Sequence, residues 1–217
     1  MAFLLEPAVY HTDMPSLPVA VLHDSATIAE ALGNHGACLL KGFPDPANTV
    51  LLRNALKALQ QDGALRPAEV GHGRGQHLRT SIRGDATGWL DRGSGQATCD
   101  YLSSLQRLRM ALNEQLFLGL FEEEAHFACY PAGTSYQRHR DQFQGSDTRV
   151  LSIVSYLNAD WTATQGGALR LHLAPGSIDI LPRAGTSIVF LSSLEHEVLP
   201  ATRERLSIAA WLRKRLS

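Results

Sequence analysis

At Ala125 the hydrophobic period of the chain changes from about 3.6 residues to 2, and it holds the shorter period almost to the end. Eight strand-like segments follow, at 125–130, 135–139, 149–157, 168–173, 176–181, 186–191, 196–199 and 205–212. Turn signals separate many of them: Pro131-Ala132-Gly133, Gly166-Gly167, Pro175-Gly176 and Ala184-Gly185. Helical patterns precede them. This order predicts an α+β fold, a double-stranded β-helix (jelly roll) of eight core strands in two sheets, buttressed on one side by N-terminal helices.

The first 124 residues read as support. Residues 1–24 are proline-rich and predict an irregular leader. Asp24 or Ser25 starts a short helix through about Asn34, and Ala37–Leu40 reads as a buried strand. Asp45-Pro46 places a capping residue before a proline at the first helical position. That helix presents Val50, Leu52, Ala55, Leu56 and Leu59 and stops at Gly63. Residues 64–99 are glycine-rich and predict a mobile substrate loop. GHGRG at 71–75 lacks the Lys-Ser/Thr ending of a phosphate loop. Asp100 is expected to cap a long helix to about Gly119, with a leucine stripe facing the core. No repeat or linker divides the chain, so residues 1–217 are expected to form one domain, with helical support and loop at 25–124 and the jelly roll at 125–213.

Composition narrows the function. A net charge of -1 argues against a nucleic-acid partner, which needs a basic surface. No apolar run approaches the roughly 18 residues of a membrane span. Three cysteines make no CxxC pair, which suits a reducing, cytoplasmic setting.

The chemistry gathers in ACYPAGTSYQRHRD (128–141). His139 and Asp141 are two residues apart, so on a strand both side chains leave one face. His196, in HEVLP, supplies a third ligand. Two imidazoles and one carboxylate on one face of an ion leave open positions, the arrangement of non-haem Fe(II) oxygenases. In the last strand Arg205, Ser207, Ala209 and Trp211 alternate with Leu206, Ile208, Ala210 and Leu212. The apolar set should pack on helices and the other set should line the barrel. An arginine inside a cavity requires an anion, and a guanidinium fork takes a carboxylate in bidentate fashion.

ACYPAGTSYQRHRD, YLNADW (156–161), Gly166-Gly167-Ala168-Leu169-Arg170, HEVLP and RLSIAAW together resemble the 2-oxoglutarate- and Fe(II)-dependent prolyl hydroxylases. The similarity is to the oxygen-sensing (HIF-type) branch and its bacterial homologues, over roughly residues 28–213. It implies that His139, Asp141 and His196 hold Fe(II), and that Arg205 and Tyr156 bind the far carboxylate of 2-oxoglutarate beside Tyr130. Tyr136 and Trp211 would wall the prolyl pocket. An Asp85–Arg149 salt bridge would join the loop to the barrel at the substrate entrance. It implies O2 as oxidant, ascorbate as a reductant, succinate and CO2 as by-products, and hydroxylation at C4 of a proline in a protein. Elongation factor Tu is the lead substrate the bacterial branch suggests. Oxidation of a free amino acid or small metabolite, and a non-catalytic metal-binding sensor or scaffold, are the alternatives. Ala209 stands where the animal oxygen sensors carry a hydroxyl residue. The histidines outside the ligand set, His126 and His172 among them, read as surface residues.

Overall fold

The structure is a computed structural model, and it describes residues 16–68, 82–142, 148–174 and 176–215. Among these described residues, three α-helices, α1 (Ser25–His35), α2 (Pro46–Gln61) and α3 (Gln96–Leu116), lie among twelve strands. The strands are β1 (Val19–Val21), β2 (Ala37–Lys41), β3 (Arg66–Pro67), β4 (Ala86–Trp89), β5 (Leu120–Tyr130), β6 (Tyr136–His139) and β7 (Arg149–Tyr156). They continue with β8 (Leu169–His172), β9 (Ser177–Ile180), β10 (Thr186–Leu191), β11 (His196–Val198) and β12 (Arg205–Lys214). The major sheet runs β1-β2-β10-β7-β12-β5-β4-β3 and the minor sheet β6-β11-β8-β9. The eight segments foreseen after Ala125 are β5 to β12, four in each sheet, as a jelly roll requires.

The helices start where local chemistry starts them. Asp24 caps α1 by accepting from the Thr27 amide, and Asp45 caps α2 by accepting from the Asn48 amide, with Pro46 next. All three contribute to one core against the major sheet, where Leu52, Leu56, Leu105 and Leu112 meet Ile153, Ile208 and Leu212. The alternation of β12 is obeyed in full: Leu206, Ile208, Ala210 and Leu212 enter this core, and Arg205, Ser207, Ala209 and Trp211 line a cavity between the sheets. Full burial of each large aliphatic side chain stabilises the fold by about 1.5–3 kcal/mol.

Several expectations are corrected. Within the leader, Val19–Val21 forms an edge strand parallel to β2. On α2 the buried stripe is Thr49, Leu52 and Leu56, and Val50 lies about 100° around the helix, exposed. Helix α3 begins at Gln96 and not after Asp100, because burying Thr98 beside Tyr101 and Leu102 extends the packed face one turn back. Asp100 lies inside it and accepts from Gln96 Nε2. The loop region is structured at both ends: β3 and β4 extend the major sheet beyond β5. Residues 69–81, with GHGRG, His72 and His77, lie outside the described residues, as does His11.

Candidate active site

Strands β6 and β11 pair so that His139 and His196 are directly opposite. Just past β6, the amide of Asp141 donates to the Ser192 carbonyl, which turns the carboxylate back toward the two imidazoles. The ligand atoms of all three residues lie within 4.8 Å of one another. His139 Nε2 is 3.7 Å from Asp141 Oδ1, and His196 Nε2 is 3.6 Å from Oδ2. The outer nitrogens are occupied by carbonyls: His139 Nδ1 is 2.7 Å from Gln137 O and His196 Nδ1 is 3.1 Å from Leu194 O. Those contacts assign the protons to Nδ1 and aim both Nε2 lone pairs at the centre. Tyr136 stacks on His139 at 3.6 Å between centroids, and Phe190 meets His196 edge-on, fixing both rings.

Protonation also favours a cation here. Burial, assisted by His196, lowers the pKa of His139 to about 4. Burial alone would raise Asp141. The charges of His196 and His139 and a 2.6 Å hydrogen bond from Ser152 Oγ outweigh it and hold the carboxyl at about 2. At neutral pH the carboxylate is charged and His139 is neutral, the states in which these side chains bind metal. The donor set therefore fits a divalent ion with open positions.

Deeper in the cavity, Arg205 is 1% exposed. Its Nε donates to the Gly167 carbonyl at 2.9 Å and its Nη1 to Ser207 Oγ at 3.0 Å. The guanidinium carbon lies 5.2 Å from the centre of the Tyr130 ring and 5.4 Å from that of Tyr156. Gly167, at φ 71°, must be glycine for this: a Cβ there would come within 2.9 Å of Ala201 Cβ and 3.0 Å of the Trp161 ring. Two buried donors, Arg205 Nη2 and the Tyr156 hydroxyl, have no partner among the described residues. Burial raises the pKa of both tyrosines, so their phenols stay protonated. Orphaned donors beside a buried cation fit an anion such as the far carboxylate of a dicarboxylic acid. The expected fork is modified, since each bidentate edge of the guanidinium already has one nitrogen engaged.

The cavity, about 340 Å3, takes in Tyr130, Tyr136, His139, Asp141, Arg149, His196, Arg205 and Trp211 from the expected set. Tyr156 and Asp85 are buried and do not line it, and the Tyr156 ring lies next to the Arg205 guanidinium. The Asp85–Arg149 bridge is not what the structure forms. Asp85, 4% exposed, takes Arg83 through two hydrogen bonds of 2.7 and 3.0 Å. Arg149 pairs with Glu124 at 2.7 Å and lies over the Trp211 ring at 3.7 Å. The cause is the extra length of β5, which runs back to Leu120 and sets Glu124 opposite Trp211, beside Arg149.

Among the polar residues of this wall, Arg83, His126 and Arg140 were missed. Arg83 lies over Tyr136 and bridges to it through the backbone. His126 is a buried cavity residue, not a surface one: it packs edge-on to Trp89, lies against Trp211 and faces Arg83 Nη2 at 3.5 Å. Its parity with Ala128 and Tyr130 on one strand was the available signal. His172 is also engaged, by Glu197 and Ser177.

Comparison with known proteins agrees with this geometry. The model of the 2OG-Fe(II) oxygenase superfamily matches residues 125–213. The human prolyl hydroxylase EGLN3 is 31% identical over 196 residues, 85% of this chain and 81% of that protein. A prolyl-4-hydroxylase structure from Pseudomonas putida shares 41% identity with a TM-score of 0.81, covering 88% of this chain and 99% of that one. A Trichoplax adhaerens prolyl hydroxylase, solved with a fragment of the hypoxia inducible factor oxygen degradation domain, shares 26% identity with a TM-score of 0.78, covering 88% and 89%. The chain belongs to the 2OG-Fe(II) oxygenase superfamily, in its prolyl hydroxylase branch, and is an enzyme of the class that uses Fe(II), 2-oxoglutarate and O2.

Proposed function

We propose that this enzyme hydroxylates C4 of a prolyl residue within a protein, turning 2-oxoglutarate and O2 into succinate and CO2 with each hydroxylation. His139, Asp141 and His196 would hold Fe(II), which supplies the activation of O2. Arg205 Nη2 and the Tyr156 hydroxyl would hold the far carboxylate of 2-oxoglutarate with Tyr130 alongside, and ascorbate would serve as reductant. Tyr136 and Trp211 would wall the prolyl ring, and Arg83, Asp85, His126 and Arg149 would shape the entrance. The observation that carries this reading is the orphaned buried Nη2 of Arg205, which lines the same cavity as the three convergent ligands, with the orphaned Tyr156 hydroxyl on the neighbouring ring. A scaffold has no use for such an anchor.

A translation factor, elongation factor Tu, is the lead substrate, on the likeness to the bacterial prolyl-4-hydroxylase. We read residues 1–217 as one oxygenase domain. We place the enzyme in the cytoplasm, where the free thiols of Cys38, Cys99 and Cys129 would stay reduced. No helix among the described residues is long and apolar enough to cross a membrane.

The test is succinate formation by anaerobically purified protein given Fe(II) and 2-oxoglutarate, then air. Proline peptides, whole elongation factor Tu and free amino acids are supplied in parallel. The expected result is polypeptide-stimulated turnover with one oxygen atom added to a proline, abolished in His139→Ala. Stimulation by a free amino acid alone would assign a small-molecule oxygenase, and absence of succinate from iron-loaded protein would leave a scaffold.

A further inference from the structure

Arg140 lines the cavity mouth, yet it belongs to neither the ligand set nor the carboxylate anchor. It stands in sequence between two inward-turned ligands, His139 and Asp141, and its side chain is 59% exposed at the rim. The other three arginines of the cavity are engaged. Arg83 is held by Asp85, Arg149 by Glu124, and Arg205 by Gly167 and Ser207. Arg140 donates no hydrogen bond among the described residues. The nearest carboxylate, Glu195, has its Oε1 3.6 Å from Arg140 Nη2, and its Oε2 accepts from both Nε and Nη2 of Arg138. Two guanidinium groups share one carboxylate, which leaves one positive charge uncompensated among the described residues. Among the described residues lining the cavity, Asp141 is the only carboxylate.

We propose that Arg140 binds a carboxylate of the incoming polypeptide, so that the enzyme selects prolines flanked by aspartate or glutamate and disfavours those flanked by lysine or arginine. The inference rests on the prolyl-polypeptide reading above. Depth separates it from the co-substrate anchor: Arg205 is sealed at the inner end of the cavity, whereas Arg140 meets solvent, where flanking residues of a bound polypeptide must lie. A guanidinium whose one carboxylate neighbour is already hydrogen-bonded by Arg138 can turn to a second carboxylate at little reorganisation cost. The same charge repels a cationic flank.

The experiment uses synthetic peptides with one central proline whose neighbours are glutamate, glutamine or lysine. Hydroxylation is followed by mass spectrometry for the wild type, Arg140→Gln and Arg140→Glu. The wild type should prefer the glutamate peptide over the glutamine peptide by about fivefold in kcat/KM, the upper range for an exposed ion pair, and less so at high salt. Arg140→Gln should erase that ratio, and Arg140→Glu should reverse the order of the glutamate and lysine peptides. Affinity of the Mn(II)-loaded protein for 2-oxoglutarate, measured by calorimetry, should stay within twofold in Arg140→Gln. An acid preference that survives both substitutions overturns the proposal. So does a large loss of 2-oxoglutarate affinity, which would make Arg140 part of the co-substrate route. If a free acidic amino acid is the sole substrate and its turnover falls in Arg140→Gln, the carboxylate belongs to a small molecule. If the wild type hydroxylates no polypeptide, the prolyl reading itself fails, whatever Arg140 does.

Discussion

Strand β12 and the segment from Ile82 to Trp89 both build the cavity, and they do so by different physics. β12 is a central strand with neighbours on both sides, β5 and β7, and its two faces follow strict alternation. Its chemistry is local: residues i, i+2 and i+4 share a face whatever the rest of the chain does. The 82–89 segment is a crossover. Ile82 to Gly84 pair with residues 135–137 at the start of β6, and Ala86 to Trp89 pair with β5, so one short stretch ties the minor sheet to the major one. Its chemistry is made by distant partners. Arg83 is placed by Asp85, His126 and the Tyr136 ring together. A central strand therefore fixes side-chain direction through its own periodicity, while a crossover fixes it through contacts that exist only after folding.

The comparison is sharpened first on β12, where the two faces should separate stability from binding. Ile208→Ala, on the fully buried apolar face, is expected to lower the unfolding free energy by about 2–4 kcal/mol, measured by urea denaturation. The folded protein should keep its affinity for 2-oxoglutarate. A large affinity loss with no change in stability would break the division between the faces.

A smaller effect tests the crossover. In double-mutant cycles on unfolding, Arg83→Gln and Asp85→Asn should be coupled by about 1–3 kcal/mol, because each leaves the other's buried charge unpaired. Asp85→Asn and Arg149→Gln should add within about 0.5 kcal/mol. Coupling confined to the second pair would restore the Asp85–Arg149 gate that sequence resemblance implies.

An effect of similar size is in pH. Burial, aided by the nearby Arg83, lowers His126 from its ordinary 6.5 to about 4 in the folded protein. The unfolded chain therefore binds the proton first as pH falls. This contribution to stability is complete above about pH 6.5 and is lost as pH drops toward 4, on the order of 1–3 kcal/mol. His126→Met should flatten that part of the stability–pH curve by comparison with the wild type. An unchanged slope would mean that His126 keeps its proton equally well in the folded protein.

The same contrast explains what could be read in advance. The jelly roll, the shared direction of His139 and Asp141 and the inward turn of Arg205 were legible because each rests on a two-residue period, and His196, which converges on the first two, was legible from its motif. Asp24 and Asp45 were legible because a cap is a local event. The start of α3 was not, because burial of Thr98 beside Tyr101 overrides the capping preference of Asp100. The partner of Asp85 was not, because it depends on how far β5 runs back and where that leaves Glu124. His126 carried a usable signal, its parity with Tyr130, which the habit of treating an isolated histidine as a surface residue obscured.

On the proposed reading, one cavity holds a metal through His139, Asp141 and His196 and a dicarboxylate through Arg205, with Tyr156 beside it. The most direct measurement is calorimetric titration of anaerobic protein, first with Fe(II) and then with 2-oxoglutarate. Arg205→Gln and His196→Ala are titrated beside the wild type. One Fe(II) per chain is expected, and 2-oxoglutarate affinity should depend on the bound metal. It should fall by about 100-fold in Arg205→Gln, as loss of a buried charged hydrogen-bond partner implies, with Fe(II) binding retained; His196→Ala should weaken both. Binding of 2-oxoglutarate that ignores the metal, or that survives Arg205→Gln unchanged, would contradict that reading.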